Sequence, residues 1–252
     1  MSRRSKAALA RVLAVVLFSA ALEAICRAGL VKPITLVPPS VMVRELWALL
    51  RAGTLGPDLA RTATAVGGAF AASVVLGIAL GASAHARPAL RRAIGPVLAS
   101  WYSVPSFIFY PLLVALLGLS AAPLIVIGTI AGTPAMMIGT IAGLDRIPRV
   151  LLRVARVHRL SRPATFRHVT LPALAPNLFT GVKLAFAYAF ISVIAGEFIL
   201  AGGGLGYSIS YAYENFETRR MYALMLLVLL VAAGVNGVLS WWEGRILRRR
   251  GL

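Results

Sequence analysis

The residues of this chain that could do chemistry crowd into one stretch, from Asp145 to Gly206. It begins with arginines at 146, 149, 153, 156 and 159, spaced three or four apart along one helical face. Such a stripe binds anions, as a helix lying on acidic lipid or as a docking helix entering a groove on a cytoplasmic partner. Thr170-Leu171-Pro172, with Pro176 beyond, is expected to end the segment sharply and redirect the chain, which favours docking. An apolar run follows that holds Lys183 and Glu197. Fourteen residues apart, they sit about 21 Å from one another on a straight helix and cannot pair. Lys183 is expected to snorkel, and Glu197, beside Gly196, is a candidate gate or helix-contact residue. Gly202-Gly203-Gly204 and Gly206 close the stretch, and their position after an apolar run makes them a flexible turn rather than a dinucleotide loop.

Catalytic machinery is missing from the pattern. No phosphate-binding G-x-x-x-x-G-K-[ST] and no H-E-x-x-H occurs, and His85, His158 and His168 fall among arginines as solvated loop residues. Cys26 is the only cysteine, so neither an internal disulfide nor a multi-cysteine metal site is expected. No metal or other cofactor is implied. A chain so equipped is expected to be driven by another protein rather than to be an enzyme.

What positions these residues is lipid. Hydrophobic residues make up 59% of the 252, and mean hydropathy is +0.84, well beyond a soluble domain. Net charge is +18, but the arginines lie between apolar runs, so they report topology and not a nucleic-acid partner. The N-terminus is expected to be an uncleaved span, because Glu23 and Arg27 follow its long apolar run and no convincing cleavage pattern does. Six stretches approach the roughly 20 residues that cross a bilayer: Ala8–Ile25, Thr62–Ala84, Val97–Leu117, Ala121–Ala142, Leu178–Leu200 and Met221–Glu243. Arg11 snorkels from the first, and Gly118-Leu119-Ser120 makes a tight hairpin between the third and fourth. Eighteen basic residues flank the spans on one face and seven on the other, which places both termini in the cytoplasm.

Between the first two spans, Pro38-Pro39-Ser40 supplies a helix cap, and Val43, Leu46, Trp47 and Leu50 follow at helical spacing, predicting an interfacial helix. Ala69, Ser73, Gly77 and Gly81 line one face of the second span with small residues. The sequence IGTIAG occurs at Ile127–Gly132 and again at Ile138–Gly143, an eleven-residue offset that turns both copies the same way and favours helix packing. Pro105 and Pro111 are expected to kink the third span and Pro134 the fourth; the first two are pathway candidates together with Glu197.

Taken in order, LVPPSVMVRELWALL, ARTATAVGGAFAASVVLGIALGA, VPSFIFYPLLVALLGL and VTLPALAPNLFTGVKLAFAYAFISVIAGEFILAGGGLGY resemble the permease subunit of a type I ATP-binding-cassette importer, of the branch that handles nitrate, sulfonates and taurine. The likeness runs along nearly the whole chain. It implies an all-α, polytopic membrane bundle of about six spans with a cytoplasmic coupling helix: one permease domain over 1–252, with a core at 58–243 and a coupling segment at 144–172. Such permeases carry E-A-A-x-x-x-G-x9-I-x-L-P in the coupling loop. Anchored on Leu171 and Pro172, the pattern puts the hydrophobic position on Val169, the glycine on Arg159 and E-A-A on Arg153, Val154 and Ala155. Glutamate and glycine are thus both arginine here. The resemblance implies ATPase contact through Arg153, Ala155, Arg156, Arg159, Ser161, Val169, Leu171 and Pro172. It also implies a bacterial inner membrane location, a cytoplasmic ATPase subunit, an extracytoplasmic solute-binding protein and a second permease copy. The alternative, a secondary transporter driven by an ion gradient, would need midplane carboxylates that the eight acidic residues, mostly in loops or at span ends, do not supply.

Overall fold

The computed structural model describes residues 3–32, 34–200 and 202–248, and the regular elements among them are all helical. In chain order they are α1 (Arg3–Arg27), α2 (Pro39–Ala52), α3 (Gly56–Ala86), α4 (Pro88–Ser100), α5 (Tyr110–Leu117), α6 (Ala121–Asp145), α7 (Arg149–Val157), α8 (Arg162–Thr165), α9 (Leu171–Leu200), α10 (Leu205–Glu214) and α11 (Thr218–Arg248). Among the described residues, four stretches have the length and apolarity to cross a membrane: Gly56–Ala86, Ala121–Asp145, Arg162–Ile199 and Thr218–Ile246. Arg249 and Arg250, part of the charge asymmetry, lie outside the described residues, as does the side chain of Arg11.

The third expected span is not one helix. Its residues divide into α4, two 3-10 turns and the short α5. Pro105 precedes the turn Ser106–Phe109, and Pro111 stands in the first turn of α5. A proline at a helix start sacrifices no backbone bond, so these two residues partition the segment where kinks were expected. Pro134 does lie inside α6. The broken segment still runs the depth of the bundle. It leaves the end where α3 and α6 finish and arrives where the 25-residue α6 begins, about 37 Å away.

Lipid gives helices no hydrophobic reason to associate, so surface fit must hold them. The small-residue stripe of α3 provides it: Ala69, Ser73, Gly77 and Gly81 are all buried against α6. A side chain at Gly77 would strike Met136, and one at Gly128 would strike Ala69 and Val193. Both copies of IGTIAG face α9, with Gly132 against the Ala185 carbonyl and Gly139 against Gly181. Around this seam Tyr110, Leu124, Ile127, Phe186, Phe190 and Val193 form the core.

Charged groups tie the ends. Where α3 and α6 finish, Asp145 accepts hydrogen bonds from Arg91 at 2.9 and 2.6 Å and lies 3.0 Å from His85 Nδ1. His85 is therefore paired, not a free loop histidine. Lys183 meets Glu243 of α11 at 2.6 Å with both side chains largely buried, so it does not snorkel. The expected Ser40 cap is also revised. Pro38 holds the cap position of α2, and Glu23 of α1 binds the Ser40 N–H at 3.0 Å and its hydroxyl at 2.6 Å. α2 itself is amphipathic as expected, with Leu46 buried beside Leu55, Leu205 and Leu224 and Trp47 exposed.

Gly128→Leu should lower the thermal stability of the detergent-solubilised protein by about 1–3 kcal/mol through overpacking. Gly67→Ala, on an open face of α3, should raise it by about 0.5–1 kcal/mol. Equal melting temperatures for the two variants would contradict the seam.

Candidate functional site

α7 turns the arginine pattern into a surface. Ala155 is buried against the body of the protein, while Arg149, Arg153 and Arg156 stand exposed one turn apart. These three are unpaired with any acidic group among the described residues. The helix stops in a Schellman motif. Arg159 N–H donates to the Arg156 carbonyl at 3.0 Å and Leu160 N–H to that of Ala155 at 3.0 Å. Arg159 takes the left-handed position of that motif, with φ of 51°. Glycine ordinarily fills it, since a side chain there costs about 1–2 kcal/mol. The glycine of the sequence pattern thus corresponds to a conformation that Arg159 adopts.

Ser161 opens α8, its Oγ accepting the Ala164 N–H at 3.4 Å. The stop expected at Thr170-Leu171-Pro172 is absent, because the helix continues from Arg162 through a π turn at Phe166–Thr170 into α9. In that turn Leu171 N–H donates to the Phe166 carbonyl five residues back. The wider turn shifts the carbonyl register by one residue just before Pro172, which has no N–H to give, and the helix survives its ring. Val169 and Pro172 line a groove of about 680 Å³ shared with Pro148, Leu151 and His168, while Leu171 is partly exposed on the helix. The eight expected coupling residues therefore lie along one stretch, α7 to the first turn of α9, at the arginine-rich end.

The opposite end is organised by Glu197, which is fully buried. The Thr62 hydroxyl lies 2.8 Å from both carboxylate oxygens, and Gly206 N–H donates to Oε2 at 3.0 Å. Thr62 Oγ1 also accepts the Leu205 N–H at 2.9 Å. Asp58, one turn before Thr62, accepts the Gly204 N–H at 3.0 Å and the Ser208 hydroxyl at 2.5 Å. The first N–H groups of any helix lack internal partners and sit at its positive end. Here α3 and α9 supply the acceptors for α10.

The glycines make this approach feasible. A Cβ at Gly204 would overlap the Glu197 carboxylate, one at Gly206 the Ile194 carbonyl, and Gly204 has φ of 106°. The expected flexible turn is a fitted lid over a carboxylate. Asp58 and Thr62, four residues apart on α3, escaped the sequence reading although their spacing puts both on one face. Pro105 and Pro111 do not join Glu197. Both are exposed, and an apolar groove of about 520 Å³ between Pro96, Trp101, Val104 and Ile130 opens nearby.

The profile of the family described as "Binding-protein-dependent transport system inner membrane component" matches residues 73–251. The chain belongs to that family. It is a permease subunit of an ATP-binding-cassette importer, as the sequence resemblance implied. Its relatives include the nitrate import permease protein NrtB of Leptolyngbya laminosa, 28% identical over 83% of this chain and 78% of its own. The taurine transport system permease protein TauC of Escherichia coli is 26% identical over 86% and 83%. The riboflavin transport system permease protein RibX of Chloroflexus aurantiacus is 29% identical over 81% and 79%. Among solved structures, the permease shares its fold with a chain of the inward-facing MetNI methionine ABC transporter, at TM-score 0.60 and 19% identity over 83% of this chain and 95% of that one.

Thr62→Val should cost the permease about 1–3 kcal/mol, because it strands the Leu205 N–H and removes a donor from Glu197. Thr62→Ser, which keeps the hydroxyl, should retain most of that stability. Thermal unfolding in detergent distinguishes them, and an unperturbed Val variant would remove Thr62 from the network.

Proposed function

We propose that two copies of this subunit form the pathway for a small solute of the nitrate, sulfonate or taurine kind. An extracytoplasmic binding protein delivers the solute, and a separate cytoplasmic ATPase supplies the work. The match to the family over residues 73–251 carries this reading, and permeases named for nitrate and taurine that align along about four-fifths of the chain support the solute class. ATP hydrolysis is assigned to the partner because this chain has no phosphate loop. The whole of 1–252 acts as one permease domain, with 58–243 as its core and 144–172 as the coupling segment.

In this reading the ATPase grips α7 and the following turns through Arg153, Ala155, Arg156, Arg159, Ser161, Val169, Leu171 and Pro172. The helix continuing from Arg162 to Leu200 is a lever of about 57 Å, longer than the bilayer is thick. Its far end holds Glu197, so displacement of the arginine loop is delivered to the α3–α10 junction, where Glu197 acts in the gate. Pro105 and Pro111, at the joints of the broken segment, let α4 and α5 move as separate pieces of the pathway wall. The two states are biased by partner binding, not by any reaction within the permease.

Reconstitution with the ATPase and binding protein in proteoliposomes should give ATP-dependent uptake of nitrate, taurine or an alkanesulfonate. Val154→Pro, which costs about 3 kcal/mol inside α7, should abolish uptake while membrane insertion stays normal. Undiminished uptake would remove the coupling role from α7. The basic asymmetry further predicts both termini in the cytoplasm, and a C-terminal reporter that is active only outside the cell would overturn that orientation.

A further inference from the structure

The exposed surface of α7 has two chemically different flanks. At about 100° per residue, Arg149, Arg153 and Arg156 cluster on one side, and Val150, Val154 and Val157 form an adjoining flank centred about a quarter-turn away. All six are exposed, and Ala155 faces the protein body. Arg159 adds a fourth arginine just beyond it at the helix cap, held in the left-handed region and exposed.

We infer that this surface selects its ATPase subunit by charge: it fits a groove whose cationic-facing wall carries carboxylates, and Arg159 is a specificity-determining contact in that groove. The inference rests on the coupling role proposed above and adds the chemistry of the partner.

Four observations carry it. The three helix arginines are left without an acidic neighbour among the described residues, so their charge is available to a partner. The arginine and valine flanks together span about half of the helix circumference, a breadth that a groove can contact on both flanks at once. The helix is nine residues long and ends in a fixed Schellman turn, a compact plug rather than an extended lipid anchor. Arg159 occupies a conformation in which glycine would be more stable, so its side chain is accommodated at the expense of the local fold. A guanidinium facing a carboxylate gives a directed, bidentate contact that glycine cannot give.

The test uses the full-length permease in phosphatidylcholine nanodiscs, titrated with each ATPase subunit of the source organism purified singly. One ATPase should bind, with affinity falling about tenfold or more as salt rises from roughly 50 to 500 mM. Arg153→Glu and Arg156→Glu should each weaken that binding about tenfold or more. Arg159→Gly should weaken it several-fold while the melting temperature holds or rises, which separates recognition from folding. Arg245→Glu serves as the control, since Arg245 stacks on Trp241 of α11, and its affinity should equal wild type. Charge reversal of a groove carboxylate on the ATPase should restore binding to Arg153→Glu.

Binding by the wild type that ignores both salt and these substitutions would overturn charge selection and leave the coupling role intact. Arginine effects that appear only when the discs contain phosphatidylglycerol would assign the stripe to lipid and overturn the inference. Failure of every ATPase to bind the wild type would defeat the coupling role itself.

Discussion

Because lipid tails compete equally well for apolar side chains, α3, α6 and α9 stay together along their length chiefly through the closeness of their fit. Gly77, Gly128, Gly132 and Gly139 remove the side chains that would keep these backbones apart. The register they set reaches both ends of the bundle. At one end it holds Asp58 and Thr62 opposite Glu197 and the start of α10. At the other it brings Asp145 to His85 and Arg91. A seam without room to deform transmits displacement as the movement of whole helices, which is the behaviour required of a subunit driven from outside itself.

Features with a repeating period were legible in the sequence. The four-residue stripe of α3 and the eleven-residue repeat of α6 predicted which faces would meet, since small residues at those spacings can lie on one line only. The α4–α5 break was hidden because Val97–Leu117 carries no charge and is apolar on average, and hydropathy does not distinguish an α-helix from a 3-10 turn. The helix through Pro172 was missed because the rule that proline ends a helix assumes i to i+4 bonding, which the π turn suspends. The pairing of Lys183 with Glu243 needed two helices in place. Glu197 stood out as a charge in an apolar run, but its partners on α3 required the fold.

Two bulky residues occupy positions that helices generally end with glycine. Arg159 closes α7. Phe216, with φ of 58°, closes α10 in the same motif, its N–H donating to Tyr213 and that of Glu217 to Ala212. Both side chains are exposed, and they belong to opposite ends of the bundle. The fold thus tolerates local backbone strain at its extremities and none along the glycine seam, where fit decides whether the helices associate at all.

The π turn at Phe166–Thr170 has a geometric consequence for the arginine loop. An extra residue in a helical turn offsets everything before it by about 100° about the axis. Rotational phase between α8 and α9 is therefore encoded by chain length: dropping a single residue there would restore ordinary winding and swing the loop carrying Arg153, Arg156 and Arg159 by about 100° around the axis of α9. The segment can vary in composition far more freely than in length, because its residue count aims the loop.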